Sequence, residues 1–364
     1  MRYSILFFLL FAGLCSGQNP NSYNLQIHQY NYPSNPLPNS CEVYGVSAAV
    51  ENKSIITYDY RGDRLSLKDL KLRNLSYNPS NSPLIPKLYA FSKYHKSEIP
   101  YENGFLLKLD MDDVVLFHEY TGKEGIYNIN SEYEIRLSVS HKDKLIVTDT
   151  LRFGKTVGSF TSELPAEDVH IIATNKANEL ASSLTDNIMS SAIGNFHQFS
   201  KNLVDLSFTK DFIRFYGISK QKKLITGEET KVVEKRIKKL EQLDKNILKR
   251  DAFNNEVKEL TAIFMNFKTT EDYKNHEGYR FYVQANLASL YTLGEIFDKV
   301  PYHYNLALTH TEKSRFKIWI NDELNKTMRR KENKSLLFDG NMKFNDGYSA
   351  SYLEIYNTRK RVIN

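Results

Sequence analysis

The chain reads as an α+β protein: an N-terminal antiparallel sheet with a covering helix, followed by an all-α domain of paired helices. Three observations lead there. Between Cys41 and Ser162 the apolar segments are short and rich in β-branched and aromatic residues, alternating like half-buried strands. Beyond about Asn195 the apolar spacing changes to the three- and four-residue steps of helices. The charge changes sign in parallel: residues 1–200 hold 18 Lys and Arg against 21 Asp and Glu, a net of −3, whereas residues 201–364 hold 31 against 22, a net of +9. A chain of 364 residues, 41% of them hydrophobic, has enough apolar material for two packed domains and is not a disordered polymer.

Met1–Gly17 has the build of an export signal: Arg2, an apolar Ile5–Leu14, and small residues Cys15-Ser16-Gly17 before Gln18. The apolar run is too short to span a bilayer as a helix. Lipidation at Cys15 is the rival reading, and Leu14, standing where a small residue is wanted, argues against it. The expected location is therefore the periplasm, outer envelope or exterior of a bacterium, whose AT-rich genome fits the abundance of Asn, Lys, Tyr and Ile. Sequons at Asn52, Asn74, Asn325 and Asn333 are coincidence in that setting, though a eukaryotic secretory pathway would glycosylate them. Cys41 is then the one thiol of the exported chain and reads as a small packed side chain.

Residues 18–40, rich in Asn, Ser and Pro, read as a flexible linker. The α+β domain is expected over 41–197, with strands at Glu42–Val50, Ser54–Tyr60, Lys87–Tyr94, Gly104–Leu109, Val114–Tyr120, Tyr133–Ser140, Lys144–Leu151 and Thr156–Phe160. Lys142-Asp143 makes Glu132–Leu151 a hairpin. Pro165 opens a helix with Glu167 and Asp168 in its first turn. Its stripe of Ile172, Leu180, Leu184 and Ile188 is interrupted by Lys176 and flanked by Ala173, Ala177 and Ala181. It should lie across the sheet. The arrangement resembles the small sheet-plus-helix domains of bacterial envelope lipoproteins. The helical domain is expected over 198–335, carried by Val233, Ile237, Leu240, Leu243 and Ile247, then Val257, Leu260 and Phe264. Residues 336–364 read as a tail, either a hairpin or disordered.

Within the helical half, Asn286–Leu308 resembles a tetratricopeptide repeat, a helix–turn–helix unit of about 34 residues. Leu287 and Ala288 match its packing pair, Tyr291 the next aromatic, and Phe297 the aromatic opening the second helix. Val300, Tyr304 and Ala307 match that helix's small, aromatic and small positions, and Gly294 ends the first helix. Val300 departs from the usual Ala, Gln284 or Val283 stands at the opening Trp position, and the closing Pro is missing. The match covers 23 residues, so other helices must complete the stack of three units such a solenoid needs. The resemblance implies a concave groove for an extended peptide or partner helix, with Tyr282, Asn286 and Ser289 pointing into it. Asn286 falls where the family holds a peptide backbone or terminal carboxylate. Against this stands an unrelated bundle in which Asn286 is a solvated polar residue.

No motif carries chemistry. The nine histidines lack metal spacing; His118-Glu119 has no second His one helical turn on, and His303 and His310 have no acidic partner. Asp110, Asp112 and Asp113 read as a solvated turn. Gly154-Lys155-Thr156 reads as a strand-joining turn, and Arg61-Gly62-Asp63 as a tight turn. No catalytic residue, metal site or cofactor is therefore expected. The basic stretch from Lys231 to Arg250 carries Glu234, Glu241 and Asp244, whose i,i+4 pairing would neutralise it. Nucleic acid is not expected as a partner, and weak contact with anionic lipid or polysaccharide is the remaining reading. The expected function is a non-enzymatic binding or assembly module of the envelope, with a protein or peptide in the helical groove. One alternative is a carbohydrate- or host-binding surface on the Tyr-rich sheet, for which the 24 tyrosines supply platforms. Another is a hydrolase with a carboxylate site such as Asp110 or Glu119.

Overall fold

The computed structural model describes residues 20–41, 43–49, 53–70, 95–96, 104–123, 125–142, 144–219, 221–245 and 250–358. The expected leader, the sequons at Asn52 and Asn74, and the strand at Lys87–Tyr94 lie outside them. The described residues form two compact units. A sheet unit holds 33–205 and 345–352, and a helical unit holds 20–32, 206–344 and 353–358.

Strand β1 (Pro20–Asn31) belongs to the helical unit. The sheet unit contains β2 (Val43–Ala49), β3 (Lys53–Tyr58), β4 (Arg64–Leu70), β5 (His95–Lys96), β6 (Gly104–Met111), β7 (Val114–Tyr120), β8 (Ile126–His141) and β9 (Lys144–Thr161). Their order is β4-β3-β7-β8-β6-β2-β5, with β9 also on β8. The long β8 organises the sheet. Its Tyr127–Glu132 pair with β7 and its Ile135–His141 with β6, while β9 pairs with it from Ile126↔Thr161 to His141↔Lys144. The expected hairpin is present and longer, because the two strands expected after Lys144 are one. Gly154 lies inside β9 opposite Glu132, not in a turn. The sheet is mixed rather than antiparallel: β6 and β7 both oppose β8, and β2 and β3 run parallel to them. Phe105, Leu107, Leu109 and Met111 of β6 alternate into the core, as do Ile135, Leu137 and Val139 of β8.

Helix α1 (Ala166–Val204) starts where Pro165 accepts from the N–H groups of Asp168 and Val169 at 3.0 and 3.1 Å. It packs on β3, β4, β7, β8 and β9. The buried row is Val169, Ala173, Ala177 and Ala181, and Ile172, Leu180 and Leu184 are half-buried beside it. This reverses the expected stripe for a steric reason: small side chains let the helix approach closely. A Cβ on Gly158 would stand 2.9 Å from Leu180 Cδ1. The helix continues past the expected boundary at 197.

In the helical unit β1 pairs with β10 (Ser207–Ile218) as an antiparallel ribbon, from Pro20↔Ile218 to Asn31↔Ser207. Residues 20–31 are therefore a strand and not a linker, and the second unit is not all-α. The reason is legible afterwards: Tyr23, Leu25 and Ile27 keep a period of two through Asn24 and Gln26, and Leu25 and Ile27 are buried. Helices α2 (Gly227–Lys245), α3 (Arg250–Phe267), α4 (Glu271–Asn275), α5 (Glu277–Leu293), α6 (Val300–Thr309) and α7 (Ser314–Leu337) follow. α2 packs on α3, α3 on α5, α5 on α6, and α6 on α7. Val233, Ile237 and Leu240 are buried, as are Val257, Leu260, Phe264, Leu287, Ala288, Tyr291, Phe297, Val300, Tyr304 and Ala307. The described part of the tail is structured: Phe338 and Phe344 form a bridge, and Ala350–Thr358 is helix α8. Among the described residues no helix is long and apolar enough to cross a membrane.

Gly294 ends α5 as expected, as its C-cap at φ −80°, but the left-handed residue is Glu295 at φ 56°. Ile296 N–H donates to Tyr291 O at 2.9 Å and Glu295 N–H to Thr292 O at 3.2 Å, closing the helix as glycine usually does. The carboxylate explains the choice of residue. It accepts from Lys334 Nζ at 2.8 Å, Tyr32 Oη at 2.8 Å and Arg330 at 3.4 Å.

Candidate functional site

Tyr282, Asn286 and Ser289 all lie on α5 and are fully buried. Asn286 Oδ1 accepts from Tyr216 N–H at 2.9 Å, and its Nδ2 donates to Tyr216 O at 2.9 Å. Ser289 Oγ donates to Arg214 O at 2.6 Å. Tyr282 packs its ring with Phe264 and Tyr279, at centroid separations of 5.3 and 5.8 Å. Asn286 thus binds an extended backbone, and that backbone is the chain's own β10. The expectation that these three residues face an open groove is corrected: the face is filled from within.

The acids of α2 serve the same ribbon. Glu234 accepts from Ile218 N–H at 3.0 Å, Glu241 from Gln26 N–H at 2.5 Å, and Asp244 from His28 N–H at 3.1 Å. Backbone donors that strand pairing leaves over are thereby satisfied by side chains. The sequence reading gives these acids to the lysines; the ribbon backbone is a further partner it does not show.

His303 has a structural setting. His303 Nδ1–H donates to Gln284 Oε1 at 2.6 Å, Gln284 Nε2 donates to Tyr273 Oη, and the imidazole stacks on Tyr291 at 5.1 Å. Burial, then Lys268 and Lys299, lower the His303 pKa to about 4. An unfolded His takes its proton near pH 6.5, so this contribution to stability is complete above pH 6.5 and is lost as pH falls toward 4. The expected loss is roughly 2 kcal/mol. Urea unfolding at pH 7.5 and 4.5 measures it, and His303→Gln should flatten the dependence. An unchanged dependence in that variant would place the titrating group elsewhere.

His118 meets His170 edge-on at 5.2 Å, and burial, then His170, lower the His118 pKa. Among the described residues no group of three or more His, Cys, Asp or Glu is placed to hold a metal ion. Cys41 is buried, which pushes its thiol up to about 11. His141 Nδ1–H donates to Gly104 O at 2.5 Å and its Nε2 meets Ser40 Oγ at 3.0 Å, pinning the turn before Cys41 to the start of β6. Gly62 takes φ 85° in the exposed β3–β4 turn, where Asp59 Oδ1 accepts from both Arg61 and Asp63 N–H at 2.8 Å.

The sheet unit holds a cleft of about 650 Å³, lined in part by Tyr58, Arg64, Asp113, Glu134, Arg152 and Phe153. Tyr58 is exposed, and Tyr133 stacks on Phe153 at 5.2 Å with 23° between the rings. Charge is arranged in pairs. Arg64 binds Asp113, Arg152 Nε donates to Glu134 at 2.9 Å, and Arg136 reaches Asp112 at 2.6 Å. Asp113 also accepts from Ser54 N–H at 2.8 Å. The acidic cluster read from sequence as a solvated turn is therefore the β6–β7 junction, fixed by arginines from β4 and β8. Tyr58, Arg64, Glu134 and Arg152 carried no sequence signal, because strand register alone brings them together. Such a site offers aromatic surface beside planar, partly satisfied donors and acceptors, which suits a neutral polar ligand. No protein-family model matches the chain, and no curated protein is significantly similar to it.

Proposed function

We propose that the chain is an exported, non-enzymatic binding module that takes a carbohydrate ligand in the cleft of the sheet unit. The observation that carries this reading is the exposed Tyr58 and the Tyr133–Phe153 stack beside the Arg64–Asp113 and Arg152–Glu134 pairs. A sugar ring lays its C–H face on an aromatic ring, and its hydroxyls share the donors and acceptors left over by such pairs. Export rests on the residue pattern of Met1–Gly17.

A glycan array probed with the full chain tests it. Tyr58→Ala and Arg152→Ala should each weaken the glycan signal about 5- to 30-fold, as loss of roughly 1–2 kcal/mol implies, with the circular dichroism spectrum unchanged. Absence of glycan binding, or binding indifferent to both substitutions, would end this reading.

A further inference from the structure

We propose that the outer face of α2 docks the protein on an anionic lipid bilayer. Lys235, Lys238, Lys239, Gln242 and Lys245 follow i, i+3, i+4, i+7 and i+10 spacing on one side of the helix, and all five are exposed. A solvated helix normally offsets such lysines with acids on the same face. Here Glu234, Glu241 and Asp244 each accept from an N–H group of the ribbon backbone. Among the described residues Lys235, Lys239 and Lys245 make no ion pair, and Lys238 lies over the Tyr23 ring at 5.2 Å. Lys222 and Lys223 are exposed just before the helix. In the first turn Glu228 pairs with Lys231 and also feels Lys222 and Lys235, with Glu229 beside it, so the positive charge of this face is concentrated in the later turns.

Apolar exposure separates a bilayer from a soluble polyanion. Ile225 is 82% and Val232 57% exposed at the start of this face. Val232 also rims an apolar cleft of about 570 Å³ with Val233, Ile263 and Phe267. Lysines that reach phosphate headgroups, next to aliphatic side chains that enter the acyl boundary, are the pairing an interfacial helix uses.

Co-sedimentation of the full chain with vesicles tests the proposal, using equal phosphatidylglycerol and phosphatidylcholine against phosphatidylcholine alone. Binding is expected to the anionic vesicles only. Each lysine should contribute about fivefold, so Lys235→Glu, Lys239→Glu and Lys245→Glu together should lower partitioning at least about 100-fold. Ile225→Ser should lower it severalfold. The proposal is overturned if the folded wild type stays in the supernatant, or if the triple variant sediments like the wild type. It is overturned equally if dextran sulfate displaces the protein from vesicles and Ile225→Ser leaves vesicle binding unchanged. That result would make the face a site for soluble polyanions.

Discussion

Glu295→Ala is expected to destabilise the helical unit by about 3–5 kcal/mol, a large share of the stability of an ordinary domain. The carboxylate is 3% exposed and is the shared acceptor for Arg330 and Lys334, each about 10% exposed. Removing it leaves two buried cations facing each other, and Tyr32 Oη loses its acceptor. The left-handed backbone at Glu295 provides an internal control. Glu295→Gly loses the same partners but relieves the conformation, so it should be about 1 kcal/mol less damaging than Ala. Urea unfolding at pH 7 gives both values. A cost under 1 kcal/mol for Ala would show that the cations do not depend on this carboxylate.

Asn286→Ala should cost about 2–5 kcal/mol, because the buried N–H and C=O of Tyr216 lose their partners together. Asn286→Asp keeps the acceptor for the N–H but sets a carboxylate against Tyr216 O, so it should not rescue. Were Asn286 a solvated residue on an open groove, either change would fall within about 0.5 kcal/mol of the wild type. The two readings thus differ by several-fold in one measurement.

Much of the architecture is legible from periodicity. Val114–Tyr120 is β7, Pro165 opens α1, and the spacing of Val233, Ile237 and Leu240 marks the buried side of α2. What the sequence hid follows from particular residues. In β1 the polar Asn24, Gln26 and His28 between Tyr23, Leu25, Ile27 and Gln29 gave the composition of a linker, and composition masked the alternation. In α1 alanine rather than leucine faces the sheet, because closeness of approach decided the packing. Glu295 stands where helix ends favour glycine, since a network formed by residues 35 positions and more away, in α7 and just after β1, determines it. The candidate cleft was the least legible part: Arg64, Asp113, Glu134 and Arg152 converge through cross-strand register, which no local pattern announces. The repeat pattern sets Asn286 against a peptide backbone, and the fold makes that backbone the chain's own β10.

The most direct test of this account is hydrogen exchange at the Tyr216 amide. With Asn286 and β10 joined as described, that amide should exchange only on unfolding of the helical unit, and Asn286→Ala should release it while leaving the amides of β8 protected. Exchange at the rate of an open strand edge in the wild-type protein would contradict it.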